Sequence, residues 1–488
     1  MAGGTLEAEA DLRARFEAAG QGHVFRFLDA GTVPAEQAAS LREQLRDLDL
    51  DSVARSLRAA QAEAAAGAAG VADLEPPDDF TCLASATLEE IAAWERTGLD
   101  AIGRGEVAAC ILAGGQGTRL GFDGPKGCYN IGLPSGKPLF QLFVERIRRL
   151  ASLAQEAGGP KARVPFLVMT SPLNHAETER FFTENSFFGL PVEDVWFFMQ
   201  GTLPCLTPEG KLILESASVL ATNPDGNGGL YPALAKSGCL ARLQAEGVKY
   251  LHVFSVDNPL CRPADPRFVG YCVSRGADCG NKCVWKASPD EKVGVVAKRG
   301  GRSSVVEYSE LDDGRKNQRD SSGRLVFGAG NICNHFFTVA FLSEVVVPNI
   351  SDLFHMAHKK IPFAGEDGNT VKPESNNGIK LEAFVFDVFP LSSRMAILET
   401  WREEEFAPVK NPPGAPTDSP DTARAMVNAL ARRWVADAGG IVEGDGAAVL
   451  EVSPLLSYAG EGLEERVKGK TLTAPASLER SEPSCSLL

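Results

Sequence analysis

The 488-residue sequence has no long uninterrupted apolar run. Its apolar stretches, such as residues 107–113 and 250–256, have the length of strands and fall far below the roughly 18 residues that a membrane span requires. A secretory signal is also missing, because residues 1–20 carry Glu, Asp and Arg and no apolar central region. We therefore expect a soluble globular chain without a membrane partner.

Positive charge is scarce. The chain has 49 Lys and Arg against 64 Asp and Glu, which gives a formal net charge of −15, and no long basic run occurs. Non-specific nucleic-acid binding depends on neutralising phosphates with many cations, so this balance argues against a nucleic-acid partner. If the substrate is anionic, the cations that bind it must be local.

Paired cysteine motifs are absent as well. The 11 cysteines are odd in number and include no CxxC, which favours reduced thiols in a cytoplasmic protein. Cys279 and Cys283 come nearest to a pair, but no second pair lies at zinc spacing, so we predict buried small apolar residues. His355 and His358 stand three apart on a predicted helix without a matching carboxylate, which favours a solvated or capping role.

The last four residues, Cys485-Ser486-Leu487-Leu488, have the outline of a prenylation box that ends in Leu. Ser486 replaces the expected aliphatic residue, and no polybasic segment precedes the box. The alternative interpretation is a frayed tail, and prenylation of Cys485 remains open.

The sequence divides into three predicted parts. Residues 1–100 are rich in Ala, Leu, Glu and Arg and predict a helical extension, with Leu41, Leu45 and Leu48 at helical spacing after Pro34. Residues 101–395 form the central domain and residues 396–488 a small carboxyl-terminal domain. Two finer signals concern the ends of helices: Thr87 and Glu90 predict a capping box, Gly98 predicts the end of that helix, and the Pro-rich stretch 408–420 predicts a loop or hinge.

The central domain alternates short β-rich runs with amphipathic helices. Residues 107–113, 164–170, 195–199 and 250–256 predict strands, and residues 139–157 predict a helix. This alternation predicts an α/β fold with a mixed, mostly parallel sheet, in which ligands bind at the carboxyl ends of the strands.

The chemistry is concentrated in a glycine-rich segment, residues 112–121, followed by Pro125-Lys126-Gly127. Gly114, Gly115 and Gly117 allow a tight turn that brings backbone N–H groups up to a ligand, while Arg119 and Lys126 add positive charge, so a triphosphate would fit there. A P-loop would need Gly-Lys-Ser/Thr, and the dinucleotide fingerprint would need Gly at Leu120. Both patterns fail, and a turn used only for packing would not require the two cations.

This segment resembles the signature of the sugar-1-phosphate uridylyltransferases, and it is most similar to eukaryotic UDP-N-acetylhexosamine pyrophosphorylases. The resemblance extends over residues 90–470. Further matching segments are 224–231, 255–258, 306–310, 330–337, 377–380, 384–387 and 453–463.

The resemblance implies a Rossmann-like nucleotidyltransferase core for the central domain. The implied reaction joins UTP and N-acetylglucosamine 1-phosphate to give UDP-N-acetylglucosamine and pyrophosphate. A sugar-phosphate oxygen is already anionic near neutral pH, so the reaction needs charge neutralisation rather than a protein nucleophile. The implied cofactor is Mg²⁺, with Mn²⁺ as an alternative, and Asp257 is the candidate metal ligand. From local sequence alone, Asp257 would instead be a helix N-cap.

The resemblance also assigns site residues. Arg119, Lys126 and Lys410 are implied to be catalytic, with Lys410 reaching the site by loop or domain closure. The implied nucleotide-binding residues are Leu112, Ala113, Gly114, Gly115, Lys126, Gln200, Gly226, Asp257 and Lys380. The implied sugar-binding residues are Asn227, Gly294, Glu307, Tyr308, Asn331 and Lys410. The chain is expected to be a monomer or a homodimer.

Alternatives remain within and beyond this family. The acceptor could instead be N-acetylgalactosamine 1-phosphate or glucose 1-phosphate. A glycosyltransferase that consumes a nucleotide sugar would usually carry Asp-x-Asp, whereas residues 255–258 offer only Asp257. Trp285 departs from the family, which generally has Glu there, and this departure leaves the preferred sugar open.

Overall fold

The computed structural model describes residues 9–69 and 73–480. The chain forms two compact units. The larger unit comprises Asp73–Met199, Ala233–Val347 and Phe389–Leu488, and the smaller comprises Met1–Ala72, Gln200–Pro232 and Pro348–Val388. These units interleave in sequence, whereas the three domains predicted from composition are consecutive, so the three-domain division stays a prediction.

The larger unit is built on one mixed sheet. Its main strands, in spatial order, are Thr81–Cys82, Met395–Glu399, Cys279–Trp285, Ala329–Thr338, Tyr250–Ser255, Val107–Leu112, Phe166–Thr170 and Val195–Met199. Along this order only Ala329–Thr338 runs antiparallel to its neighbours. Three further strands, Leu74–Glu75, Val295–Arg299 and Arg302–Val306, extend the sheet on one side. The predicted mixed, mostly parallel α/β sheet is confirmed.

Helices cover this sheet. The main ones are Leu88–Gly103, Leu139–Glu156, His175–Glu184, Cys239–Ala245, Pro266–Ser274 and Pro420–Asp437, with short helices Asp313–Asn317, Arg402–Glu405 and Glu464–Val467. Leu139–Glu156 buries apolar side chains three or four residues apart, including Phe143, whose ring centroid lies 5.2 Å from that of Phe254. The central strand Val107–Leu112 is buried at every position, as expected for a parallel strand covered on both faces.

The Thr87–Glu90 capping box is confirmed, but the predicted end of that helix at Gly98 is wrong. The helix continues to Gly103, and Gly98 serves packing instead. A Cβ atom at Gly98 would lie 2.0 Å from the carbonyl oxygen of Pro266, so the missing side chain lets two helices touch. The same crossing uses Gly270 on the other helix.

The smaller unit joins helices to short strands. Its helices are Glu9–Ala18, Arg26–Asp29, Ala35–Arg46 and Leu50–Ala69. Its strands are Thr202–Pro204, Leu214–Ser216, Val219–Leu220, Thr222–Pro224, His355–Lys359, Phe363–Ala364, Thr370–Val371 and Gly378–Glu382. The helix Leu230–Lys236 begins in the smaller unit and ends in the larger one, because the division between the units falls between Pro232 and Ala233.

Two predictions for the smaller unit need correction. The helix after Pro34 ends at Arg46, so Leu41 and Leu45 lie on it but Leu48 does not. His355 and His358 lie on a strand, where residues three apart face opposite sides, so the predicted helix is wrong. His355 is hydrogen-bonded through Nε2 to Asp387, 2.8 Å away.

The Pro-rich stretch before the carboxyl-terminal segment forms a loop, as predicted. The stretch 408–419 contains neither helix nor strand, and Pro420 opens the helix that Ser419 caps. Two parallel strand pairs follow: Ile441–Glu443 with Thr471–Thr473, and Leu450–Val452 with Ala476–Leu478. Cys485 lies outside the described residues, so its prenylation stays untested.

Ten cysteines lie in the described ranges, and all ten are free thiols. Cys279 and Cys283 are fully buried on one strand, which confirms that they act as small apolar residues. Within the same ranges no helix combines the length and apolar character that crossing a membrane would demand.

Candidate functional site

The glycine-rich segment follows the strand Val107–Leu112. Its backbone carbonyl groups accept hydrogen bonds from other parts of the protein, and these bonds hold the segment in place. Ser171 Oγ donates to the carbonyl of Gly114 at 2.8 Å, and Asn174 Nδ2 donates to that of Ala113 at 2.9 Å. Asn174 Nδ2 also reaches the Gly115 carbonyl at 3.3 Å, which accepts a second bond from the backbone N–H of Lys126 at 3.2 Å. Three successive carbonyl oxygens are therefore occupied by the protein itself.

The N–H groups of the same turn are left unused. Within the described part of the chain, no group accepts a hydrogen bond from the backbone N–H of Gly114, Gly115 or Gln116. A Cβ at Gly115 would meet nothing within 4 Å, whereas one at Gly117 would lie 2.7 Å from the Phe122 ring. Unpaired N–H groups on an open glycine turn form an anion-binding concavity.

Arg119 and Lys126 lie beside this turn. Burial lowers the pKa of the Lys126 ammonium, the nearby Asp257 carboxylate raises it, and Lys410 and Arg119 lower it further. These four charged groups therefore share one electrostatic environment. In the ranges that the structure describes, the side chains of Arg119, Lys126 and Lys410 form neither an ion pair nor a hydrogen bond. The Asp418 carboxyl belongs to the same region, because Lys410 lowers its pKa and Asp257 raises it, so three cations lie near two carboxylates.

The sheet explains why Asp257 lies near the glycine turn. Ser255 is paired with Leu112 across parallel strands, and the N–H of Val256 donates to the Leu112 carbonyl at 3.2 Å. Both chains thus leave the sheet at the same edge. The next helix is capped by Asp265, which accepts a bond from the Arg267 N–H at 3.1 Å, so the N-cap alternative for Asp257 is excluded.

Asp257 fits a metal site of a particular kind. Its carboxylate accepts no hydrogen bond from any described residue, and the described ranges contain no group of three or more His, Cys, Asp or Glu that would hold an ion unaided. Mg²⁺ is commonly bound by one or two carboxylates, with phosphate oxygens and water in the remaining positions. The donor set therefore fits an ion that arrives with a phosphorylated ligand.

Three of the sugar-pocket residues predicted by resemblance also lie together. The N–H of Asn331 donates to the Gly294 carbonyl at 2.8 Å, and a Cβ at Gly294 would be 3.2 Å from Glu307 Oε1. Tyr308 follows Glu307 and is exposed. Cys333, whose N–H donates to Asn331 Oδ1 at 3.2 Å, has a pKa raised to about 12 by burial and by Asp257, with Lys410 opposing. This group therefore adjoins Asp257 and Lys410.

The smaller unit carries four predicted site residues: Gln200, Gly226, Asn227 and Lys380. Gln200 is buried, and Lys380 lies half-buried on the Gly378–Glu382 strand. Gly226 has φ +89°, and a Cβ there would lie 2.3 Å from the Ala383 carbonyl oxygen, so only glycine fits.

One polar atom of the Asn227 side chain already has a partner within the protein, because its Oδ1 accepts a hydrogen bond from the Val385 N–H at 2.9 Å. Its Nδ2 remains available to a ligand. Beside it, Asp225 is buried, and burial raises the pKa of its carboxyl to about 6. Asp225 Oδ1 has no hydrogen-bond partner among the residues that the structure describes.

Sequence reasoning missed Ser171, Asn174 and Asn258. Ser171 and Asn174 are fully buried polar residues directly after the predicted strand that ends at Thr170. Polar residues at the carboxyl end of a parallel strand were the available signal. Asn258 follows Asp257 and ties its turn to the chain segment before Lys410, and no local pattern indicates this contact.

Trp285 has a packing role. Its ring lies 5.3 Å from the Phe80 ring, the Arg324 guanidinium lies 3.9 Å above it, and its Nε1 donates to the Leu325 carbonyl at 3.1 Å.

Comparison with known proteins gives the family of the chain. The family model described as UTP–glucose-1-phosphate uridylyltransferase matches residues 68–414. The human UDP-N-acetylhexosamine pyrophosphorylase-like protein 1 is 44% identical over 98% of both chains. The UDP-N-acetylglucosamine diphosphorylase 2 of Arabidopsis thaliana is 42% identical over 94% of this chain and 92% of its own. The crystal structure of the Trypanosoma brucei uridine diphosphate N-acetylglucosamine pyrophosphorylase, in complex with inhibitor, superposes with TM-score 0.82 at 33% identity over 95% of both chains.

Proposed function

Because the chain belongs to the UTP–glucose-1-phosphate uridylyltransferase family, we propose that it transfers a uridylyl group from UTP to a hexosamine 1-phosphate and releases pyrophosphate. N-acetylglucosamine 1-phosphate is the proposed acceptor. The observation that carries this proposal is the glycine turn with unused N–H groups, beside Arg119, Lys126 and Lys410, which form no ion pair with any described residue and lie near Asp257.

The reaction makes one P–O bond and breaks another. An oxygen of the sugar phosphate attacks the α-phosphorus of UTP, and the bond from that phosphorus to the oxygen that bridges the α- and β-phosphates breaks, so pyrophosphate leaves with that oxygen. The second pKa of a phosphate monoester is about 6, so the attacking oxygen is already anionic at neutral pH. No Ser, Cys or general base is needed, and the protein's work is to hold two anions together.

The residues divide this work by position. The N–H groups of Gly114 and Gly115, with the backbone of Leu112 and Ala113, hold the nucleotide, while Arg119 and Lys126 neutralise the triphosphate. The pairing of Ser255 with Leu112 and the effect of Asp257 on the pKa of Lys126 support this assignment. Lys410 binds the sugar phosphate, and Lys380 contacts the UTP phosphates.

A divalent cation, proposed to be Mg²⁺ with Mn²⁺ as an alternative, would neutralise phosphate oxygens and the charge that develops on pyrophosphate. Asp257 would hold it through its carboxylate.

The ends of the substrates are assigned to hydrogen-bonding groups. Gln200 and the N–H of Gly226 read the uracil edge. Asn227, Glu307 and Asn331 bond the sugar hydroxyls and the N-acetyl group, Gly294 leaves room beside Glu307, and Tyr308 borders the pocket. We further propose a cytoplasmic location, since the described thiols are free, and a monomer or homodimer that binds no nucleic acid.

The test is release of pyrophosphate from UTP with a panel of sugar 1-phosphates and Mg²⁺. N-acetylglucosamine 1-phosphate should react fastest, ahead of N-acetylgalactosamine 1-phosphate and glucose 1-phosphate. Asp257→Ala should abolish turnover without loss of the fold, while Asp437→Asn at an exposed position should change neither. Sugar transfer from a nucleotide sugar without pyrophosphate release would contradict the proposal.

A further inference from the structure

Lys410 is tied to Asp257 through the backbone next to it. The N–H of Val409 donates to the carbonyl of Asp257 at 2.8 Å. Lys410 itself begins a short loop, because its N–H and that of Asn411 both donate to the carbonyl of Asp418, at 2.7 and 2.8 Å. Its backbone is thus held on both sides, while its ammonium is exposed.

The Asn258 side chain makes two further hydrogen bonds between the turn that carries Asp257 and the segment before Lys410. Its Nδ2 donates to the Glu405 carbonyl at 2.6 Å, and its Oδ1 accepts from the Ala407 N–H at 3.0 Å. Asn258 is only 3% exposed, so both bonds are shielded from water. One side chain therefore holds the segment that leads to Lys410 against the turn that carries Asp257.

Glu405, at the start of the segment that Asn258 holds, takes part in buried ion pairs. Glu405 Oε2 pairs with Lys282 Nζ at 2.6 Å, and Lys282 also pairs with Asp265 at 2.5 Å. Glu405 Oε1 accepts from Thr400 Oγ1 at 2.7 Å. Lys282 is fully buried and Arg262, 3.7 Å from Glu405 Oε1, is a second buried cation, so loss of Glu405 would remove a carboxylate that both cations share, and position 405 is fixed.

Electrostatics explains why a clamp is needed. Lys410 lies close enough to Lys126 to lower the pKa of that ammonium, as Arg119 does, while only Asp257 acts in the opposite direction. Without a bound anion, Lys126 and Arg119 repel Lys410 while Asp257 and Asp418 attract it, so these charges alone do not hold Lys410 in one position. Hydrogen bonds from Asn258 fix the backbone before Lys410 without adding charge.

We propose that Asn258 is a positioning residue that keeps Lys410 at the sugar-phosphate subsite before the substrate binds; this inference rests on the proposed function. It replaces the expectation that Lys410 arrives by closure, because the backbone at Val409 is already bonded to Asp257. Asn258 lowers the cost of ordering Lys410 against its cationic neighbours. It touches neither substrate.

The test is a double-mutant cycle of Asn258→Ala with Lys410→Met. Asn258→Ala should lower kcat/KM for the sugar 1-phosphate by about 10- to 100-fold and leave the dissociation constant of UTP unchanged, since the glycine turn is untouched. In the Lys410→Met background the same substitution should cost less than about threefold, because the group it positions is gone.

Asn428→Ala is the matched control. Asn428 is 4% exposed and also joins two backbone groups, donating to the Gly446 carbonyl at 3.0 Å and accepting from the Leu450 N–H at 2.8 Å. Its effect on kcat/KM should be small and equal in both backgrounds. If Asn258→Ala does not fold, Asn258→Asp keeps the acceptor for Ala407 and should show a smaller loss with the same non-additivity.

Equal losses from Asn258→Ala in the presence and absence of Lys410, or a parallel loss of UTP affinity, would overturn the inference and leave the proposed function standing. A wild-type chain that releases no pyrophosphate with any sugar 1-phosphate would instead overturn the proposed function itself.

Discussion

Ser171 and Gly114 are joined by a hydrogen bond of 2.8 Å from the buried hydroxyl to the carbonyl of the glycine turn. With Asn174 on the neighbouring carbonyls, this contact turns the acceptors of the loop toward the protein. The N–H groups of Gly114 and Gly115 remain without a partner in the described ranges, so the turn offers these two donors to a ligand. A site of this kind selects anions before any side-chain charge is counted.

Gly115→Ala should separate folding from binding. The new methyl group meets nothing within 4 Å in the free protein, so the free energy of unfolding should change by less than about 0.5 kcal/mol. It would occupy the space through which phosphates approach the N–H groups, and UTP affinity should fall at least about tenfold by calorimetry.

Gly117→Ala is the contrasting variant, because its methyl group would lie 2.7 Å from Phe122 and should destabilise the loop. Unchanged UTP affinity in a stably folded Gly115→Ala protein would show that the nucleotide binds elsewhere.

Lys126 should take up protons when UTP binds in alkaline solution. Burial, opposed by Asp257 and reinforced by Lys410 and Arg119, lowers its pKa from the ordinary 10.5. A bound triphosphate favours the charged ammonium and raises the pKa again, so proton uptake occurs between the free and bound values. Calorimetry just below pH 10.5 in buffers of different ionisation enthalpy should detect it.

Lys126→Arg is the control for that titration, since a guanidinium stays protonated throughout this range. The variant should bind UTP with no dependence on the buffer. A wild-type binding enthalpy that is the same in all buffers would contradict the assignment of Lys126.

Asp225 should make the free energy of unfolding depend on pH. Its folded pKa of about 6 lies above the ordinary 3.8, so its stabilising contribution is fully present below pH 3.8 and is lost as the pH rises through about 6. The loss corresponds to about 3 kcal/mol. Asp225→Asn remains neutral and should lack this decrease, as measured by denaturant unfolding between the two values.

Asp437→Asn, at an exposed position, should keep the decrease that the wild-type protein shows. An Asp225→Asn curve parallel to the wild-type curve would mean that the buried carboxyl does not titrate in this range.

Gly98→Ala should destabilise the larger unit. A methyl group at 2.0 Å from the Pro266 carbonyl forces the two helices apart, and we expect a loss of about 3 kcal/mol in the free energy of unfolding. Gly446→Ala adds a methyl group in open space and should be nearly neutral. Equal thermal midpoints for both variants would contradict the helix contact.

The sequence-based predictions succeeded where local order determines structure. Burial of apolar runs identified Val107–Leu112 and Tyr250–Ser255 as strands, and parallel pairing then brings the glycine turn and Asp257 to one edge. The prediction for Gly98 was wrong because a glycine that ends a helix and a glycine that allows close packing of a second helix look alike in sequence. The packing partner, Pro266, is 168 positions away along the chain.

The missed site residues share that difficulty. Asn258 contacts Glu405 and Ala407, nearly 150 positions later, so its role depends on tertiary structure alone. Ser171 and Asn174 act on carbonyl groups of a turn almost 60 positions earlier. Backbone partners leave no side-chain pattern from which such contacts could be read.

The buried trio of Lys282, Asp265 and Glu405 also constrains how this chain can diverge or be recombined. Two members come from Ala233–Val347 and the third from Phe389–Leu488. A chimera that exchanges the carboxyl-terminal segment with that of a relative lacking the acid would remove one of the two carboxylates that bind the fully buried Lys282 ammonium. Positions 265, 282 and 405 should therefore be kept or changed together when segments of this chain are exchanged with those of a relative.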